Sequence, residues 1–116
     1  MKIFKYTDLA ATTLDTDSIK SVKAAVAIGK ADGASNFCMR IFTIEKGGYT
    51  PRHSHAWEHG IFIHQGRGQV FNQGSWIDVE SDSVIFISGN EKHQIRNTGD
   101  SPLVFVCVIP SGPPEL

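Results

Sequence analysis

Short apolar runs alternate with turn-forming residues along most of this chain. The runs have the length of strands and are rich in Val, Ile and Phe; they cover residues 25–28, 37–44, 61–64, 69–71, 76–79, 84–87, 93–95 and 103–109. Gly, Asn and Asp cluster between them, as at Lys46-Gly47-Gly48 and at Asn72-Gln73-Gly74-Ser75. Such a rhythm is typical of an antiparallel sandwich or barrel. The pattern therefore predicts an all-β fold.

Two segments depart from this pattern. Residues 16–25 have some helix-compatible spacing, with Asp15 or Asp17 as candidate caps, but their β-branched residues disfavour a helix. Residues 110–116 contain three prolines and a glycine, which suit neither a strand nor a helix. We therefore expect no stable helix in the first segment and a frayed tail in the second.

Composition excludes several classes of function. The 116 residues suffice for one domain with its own core, and the net charge of −1 comes without any cluster of Lys or Arg. Nucleic acids and anionic membranes are therefore not expected partners. There is no apolar stretch of membrane-spanning length and no signal-peptide core, so we expect a cytoplasmic protein. Cys38 and Cys107 each lie in an apolar run, which favours buried thiols over a disulfide.

Four of the five histidines have the spacing of a metal site. His53, His55 and His59 have the same parity, so on a strand their side chains would share one face, and His93 would join them from a second strand. Glu58 is a rival to His59 as ligand, but it has the opposite parity and would need a bulge to turn inward. His64 also has the opposite parity and is expected at the surface.

A metal explains this cluster better than a polar barrel mouth does. Converging imidazoles without a metal repel one another when protonated and lose hydration when neutral. Four neutral nitrogens would leave a divalent ion fully charged, with open positions for an anionic ligand, so the ion could polarise a carbonyl group or activate oxygen. A closed, structural zinc site is the alternative, although such sites favour cysteine ligands.

The spacing Gly47-x5-His53-x-His55-x3-His59-x6-Gly66 resembles the first motif of the cupins. Most cupins have glutamate where this chain has His59, but the run His53-Ser54-His55-Ala56-Trp57-Glu58-His59 is similar to a four-histidine subset of small bacterial cupins. The second cupin motif is half present, with His93 and Asn97 in place. Asp82, Ser88 and Asn90 stand where Gly, Pro and Gly are usual.

The resemblance implies a single-domain, cupin-type double-stranded β-helix, or jelly-roll barrel. Residues 37–110 would form the barrel, residues 1–36 an extension whose strands pack on the barrel or on a dimer partner, and residues 111–116 a tail. It also implies a homodimer, with the apolar strand candidates at Ile3-Phe4 and residues 24–28 available to pair with or cover an edge of the partner.

The predicted cofactor is one divalent transition metal per chain, Mn or Fe in first place with Cu, Ni, Co and Zn open, bound by His53, His55, His59 and His93. We expect an oxidoreductase of the dioxygenase kind acting on a small organic molecule. A metal-dependent isomerase or lyase, and a non-catalytic module that binds metal and a small ligand, are the alternatives.

Three further residues, Arg40, Phe105 and Cys107, are candidates for the surroundings of the metal. Arg40 stands in an otherwise apolar strand and could bind a substrate carboxylate, although a salt bridge or outward exposure would explain it as well. Cys107 either faces the site, together with Phe105 and Ile109, or is an ordinary core cysteine. Ile61 and Ile63 are expected, with Phe105 and Ile109, to set specificity.

Overall fold

The computed structural model describes residues 1–116 and consists almost entirely of strands. There are nine: β1 (Thr12–Leu14), β2 (Lys20–Ile28), β3 (Phe37–Tyr49), β4 (His59–Gln65), β5 (Arg67–Asn72), β6 (Ser75–Glu80), β7 (Val84–Ile87), β8 (Gln94–Asn97) and β9 (Leu103–Pro110). Two 3-10 turns, at Tyr6–Asp8 and Lys30–Asp32, complete the regular structure. The all-β prediction is confirmed, and part of the segment with helix-compatible spacing belongs to β2. No helix has the length and apolarity needed to cross a bilayer.

The strands form one antiparallel sheet organised around β3. Its order is β6-β5-β8-β3-β9-β4-β7, and β2 lies beside β3 with β1 outside it. The longest pairing joins β3 to β9, from Phe37 opposite Pro110 to Ile44 opposite Leu103. This register places Arg40 directly opposite Cys107, two residues that are far apart in sequence.

The core follows the two-residue period of the strands. Side chains of β9 at Phe105, Cys107 and Ile109 are each 2% exposed, while those between them are partly exposed. They pack with Ile44 and Ile63, which are fully buried. The common direction predicted for these three residues of β9 follows from this alternation.

Both ends of the chain differ from the expectation. Ile3 is 86% exposed and precedes the first strand, so the predicted strand at Ile3-Phe4 is wrong. The tail is not frayed, because the Ser111 hydroxyl donates to the Ser35 carbonyl at 2.6 Å and Glu115 Oε2 accepts from the Lys30 amide at 2.9 Å. Proline excludes the tail from the sheet, but its polar groups still pair with their neighbours.

Two turns keep their shape with residues other than glycine. Asp82 and Asn90 occupy positions where the family motif has glycine, and both have left-handed backbones, with φ of +76° and +66°. Asp and Asn tolerate this conformation better than other residues with a Cβ atom. The departures from the second motif therefore leave the backbone around the predicted ligand His93 in a conformation that glycine would also adopt.

Candidate metal centre

The imidazole rings of His53, His55, His59 and His93 converge at one end of a cavity. Ring-centroid distances run from 4.6 Å for His55 and His59 to 5.2 Å for His55 and His93. The ligand atoms of His53, His55 and His93 all lie within 4.8 Å of one another. His59 adjoins this group of three, with its Nε2 at 2.8 Å from Nε2 of His55.

The backbone reaches this arrangement by a different route from the one predicted. His53 and His93 form an isolated antiparallel bridge, in which each amide donates to the other residue's carbonyl, at 3.1 and 2.9 Å. Residues 54–58 form a loop, and His59 is the first residue of β4. The prediction that His53 and His55 lie on one strand is therefore wrong. A bridge and a loop bring their rings together, and His93 lies just before β8.

Three of the four rings are oriented through Nδ1. The Nδ1 atom of His93 lies 2.8 Å from the Glu91 carbonyl, that of His55 lies 3.3 Å from the Trp57 carbonyl, and that of His59 lies 3.1 Å from Cys107 Sγ. A carbonyl oxygen only accepts, so His55 and His93 carry their protons on Nδ1 and leave Nε2 with a free lone pair. This tautomer is the one that binds a metal through Nε2.

The contact between His55 and His59 tests whether the centre fits a metal. Because His55 Nε2 has only a lone pair, the 2.8 Å separation from His59 Nε2 requires a proton or a cation between the two nitrogens. Two nitrogens bound at right angles to one ion, each at about 2.1 Å, would lie about 3.0 Å apart. The observed spacing fits a shared ion, so the residues present suit the metal that the sequence predicts.

The electrostatics of the cluster lower the pKa of three of its imidazoles, those of His53, His55 and His59. Burial, followed by repulsion from His93 and His55, lowers the pKa of His59 to about 3. Burial, followed by repulsion from His93, also lowers the pKa of His53 to about 4 and lowers the pKa of His55. His53 is exposed, whereas His59 is only 7% exposed, so burial lowers the pKa of His59 most strongly. Neutral imidazole is the form that binds metal.

The two other candidates lie outside the cluster. Glu58 is exposed and is not part of the cavity wall, whereas His59 is buried and lines the cavity. The ring of the exposed His64 packs edge-on against Tyr6, with the centroids 5.5 Å apart. The geometry therefore favours His59 over Glu58 as the fourth ligand.

The cavity next to the histidines has a volume of about 420 Å³ and a mostly apolar wall. Arg40, Phe105 and Cys107 line it, and Ile61 does so as well; Ile63 and Ile109 are buried in the core instead. Wall residues that the sequence did not predict include Phe42, Trp57, Pro114 and Leu116. The position of Trp57 between two predicted ligands could have indicated its role. Nothing in the sequence places the tail residues at the cavity.

Arg40, Cys107 and His59 form a connected polar group in this wall. Arg40 donates from an Nη atom to Cys107 Sγ at 3.0 Å, and the same sulfur lies 3.1 Å from His59 Nδ1. Cys107 is a free thiol, and burial raises its pKa, an effect that Arg40 partly offsets. For both residues the sequence left open whether the side chain faces the site. In the structure, Arg40 and Cys107 both face the cavity.

Known proteins resemble this chain along most of its length. The polyketide cyclase RemF from Streptomyces resistomycificus is 30% identical and superposes with a TM-score of 0.91, over 98% of this chain and 82% of its own. A cupin 2 conserved barrel domain protein from Rhodopseudomonas palustris is 26% identical, with a TM-score of 0.78 over 90% of this chain and 73% of its own.

A curated relative, the 1-methylthio-D-xylulose 5-phosphate methylsulfurylase of Rhodospirillum rubrum, is 30% identical over 71 residues, which are 61% of this chain. The match spans only 46% of the length of that relative. The family profile described as Cupin domain matches residues 40–109, more than half of the chain. Together with the jelly-roll barrel seen in the structure, this match shows that the chain belongs to the cupin domain family.

Proposed function

We propose that His53, His55, His59 and His93 bind one divalent transition metal and that the protein is a metal-dependent enzyme. The observation that carries the proposal is the 2.8 Å contact between the Nε2 atoms of His55 and His59. A metal would replace the proton that this contact otherwise needs. Orientation of three rings through Nδ1 supports the same conclusion, because it directs the remaining nitrogens to a common point.

Lewis-acid chemistry on a carbonyl compound is the activity that these surroundings support best. An ion held by four neutral nitrogens keeps its double charge and can polarise a carbonyl oxygen. No Asp or Glu lines the cavity, so no acidic side chain is available there as a general base. The wall residues instead bind the substrate, orient it and exclude water, with Phe42, Trp57 and Phe105 available to contact flat apolar groups.

A ring-forming reaction is the specific class we propose. The name of the relative from Streptomyces resistomycificus, a polyketide cyclase, supports it, because the two chains correspond over 98% of this one. Cys107 also supports a reaction without oxygen, since its sulfur lies 3.1 Å from His59 and a thiol beside an oxygen-activating centre would be open to oxidation.

A dioxygenase reaction, which is the first expectation from the sequence, is the second candidate. What favours it is the all-nitrogen ligand set, which would leave positions for dioxygen if the ion is Fe or Mn. The two activities predict different products from the same apolar polyketone. Ring closure conserves the atoms of the substrate or releases water, whereas dioxygenation adds oxygen to it.

The test is to load metal-free protein with Zn²⁺, which is redox-inert, or with Fe²⁺, and to incubate each form with linear aryl polyketones. Products would be identified by mass spectrometry, with His59→Ala as the control that lacks one ligand. Cyclised product from the zinc form under nitrogen is the expected result. Products containing added oxygen, formed only with iron and air, would support the dioxygenase instead. Substrate binding without turnover in either form would indicate a non-catalytic module.

The homodimer and the division of the chain also remain proposals. Phe62, Val84 and Phe86 are 43%, 78% and 64% exposed on the paired strands β4 and β7, which is an apolar surface suited to a second copy. The strand β2 of the proposed extension pairs with β3 of its own chain. Light scattering of the purified protein would measure the mass in solution, and a monomer would contradict the dimer.

A further inference from the structure

Arg40 is a buried cation without a counter-ion in the wall of the cavity. Arg40 is 7% exposed, and no other Lys or Arg lines the cavity. The ion pairs of the protein are elsewhere, between Lys2 and Asp32 and between Lys46 and Asp100. No carboxylate oxygen therefore lies within ion-pair distance of this guanidinium.

The hydrogen bonds of Arg40 leave much of the guanidinium unpaired. One Nη atom donates to Cys107 Sγ at 3.0 Å and the other to the Glu115 carbonyl at 3.4 Å, which uses two of its five N–H groups. Nε is buried and has no partner. The Glu115 carboxylate is engaged with the Lys30 amide at 2.9 Å. The guanidinium therefore retains three N–H groups without a partner.

A buried charge without a partner is unfavourable, so its retention calls for an explanation. An anionic ligand in the cavity would supply that explanation. No acidic side chain lines the cavity to balance the charge of Arg40, and a bound divalent ion would add further positive charge. The guanidinium carbon also lies 5.0 Å from the centre of the Phe42 ring, which stacks on Phe105. Positive charge and aromatic surface are thus adjacent in one wall.

We infer that Arg40 binds a carboxylate group of the substrate, and that the substrate is an apolar, aromatic carboxylic acid. Its ring system would lie against Phe42 and Phe105, and its reacting group would face the four histidines. This inference deepens the proposed function and relies on it only for the identity of the reacting group. The carboxylate would complete the unpaired hydrogen bonds of Arg40 and neutralise its charge.

The test compares a charged probe with a neutral one of nearly the same shape, 2-naphthoate and 2-naphthamide, by calorimetric titration. Wild-type protein should bind naphthoate more tightly than naphthamide. Arg40→Met should weaken naphthoate binding about 10- to 100-fold while leaving naphthamide binding nearly unchanged. Arg40→Lys, which keeps the charge but not the paired donors, should fall between the two. Arg67→Met is the control, because Arg67 is exposed and lies outside this cavity.

Thermal unfolding of each variant would establish that it is folded. Equal affinity of wild type for the two probes, unchanged naphthoate binding in Arg40→Met, or no binding of either probe would overturn the inference. Titration of both the zinc-loaded and the metal-free protein separates the two proposals. Naphthoate binding that depends on Arg40 in a protein that takes up no metal would refute the metal proposal and leave this one standing. Normal zinc uptake without a preference for naphthoate would do the reverse.

Discussion

Replacement of Cys107 by valine should reduce both the stability of the fold and the affinity for metal. Cys107 Sγ is a buried hydrogen-bond partner of both the Arg40 guanidinium, which donates to it at 3.0 Å, and His59 Nδ1, at 3.1 Å. Valine fills a similar space and suits a strand, but it accepts no hydrogen bond. The charged Arg40 guanidinium and the buried Nδ1 atom of His59 would both lose their hydrogen-bond partner. At about 1–3 kcal/mol for each unpaired group, the free energy of unfolding should fall by roughly 3 kcal/mol.

The same substitution should act on the metal through the orientation of His59. Without the sulfur, nothing holds the ring by Nδ1, and loss of such an orienting partner typically weakens metal binding by about 10- to 100-fold. Cys107→Ser retains an acceptor and should recover most of the affinity. Chemical denaturation would give the stability, and competition with a chromophoric chelator would give the dissociation constant for Zn²⁺.

Cys38→Val is the matched control. Cys38 is also a free cysteine, 2% exposed, but it does not line the cavity. It should therefore alter stability without changing zinc affinity. If Cys107→Val binds zinc as tightly as the wild type does, or if Cys107→Ser binds it no better than Cys107→Val, Cys107 does not orient His59 and the reasoning is refuted.

Three further predictions concern the fold. Asn97→Ala should lower the free energy of unfolding by about 2–4 kcal/mol, measured by denaturation, because Asn97 bonds two carbonyls and the Gly99 amide at 2.8–2.9 Å; a loss below 1 kcal/mol would contradict it. Gly66→Ala should lower the free energy of unfolding by about 3 kcal/mol, since its Cβ would meet the Pro102 carbonyl. Gly74 has the same left-handed backbone but lies in open space, so Gly74→Ala should lower it by only about 1 kcal/mol; equal losses would oppose this account. The pKa of His59 is about 3, below its unfolded value of 6.5, so the unfolded chain binds the extra proton as the pH falls. His59 alone should therefore lower the free energy of unfolding of metal-free protein by up to about 1.4 kcal/mol per pH unit from pH 6.5 to 3, and His53, with a pKa of about 4, should add to this loss; an unchanged denaturation midpoint across that range would disprove it.

The sequence allowed the histidines to be identified more readily than the geometry that unites them. Their residue type and spacing pointed to a metal centre, since few other arrangements tolerate four imidazoles at one point. The strand parity used to orient them did not apply, because residues 54–58 form a loop and His53 pairs with His93 in an isolated bridge. Parity holds only within a continuous strand, as it does for the inward residues of β9.

The surroundings of the histidines depend on contacts that no local pattern encodes. Arg40 and Cys107 meet because β3 pairs with β9 in one particular register, and a shift of one residue would turn one of them away. The tail closes part of the cavity wall through Pro114 and Leu116, although its composition predicted fraying. Local propensity describes how a segment behaves alone, whereas these segments are held by hydrogen bonds to residues distant in sequence.

The most direct test of the central claim is the metal content of the protein, measured by mass spectrometry for wild type, His59→Ala and His64→Ala. Each protein would be purified without an affinity tag, stripped of metal and reloaded with Zn²⁺ before the measurement. His64 is the control, because it is exposed and its ring contacts Tyr6 rather than the other histidines. We predict one equivalent of metal in the wild type and in His64→Ala, and strongly reduced content in His59→Ala. Equal metal in both variants, or none in the wild type, would contradict the assignment of the four histidines as a metal centre.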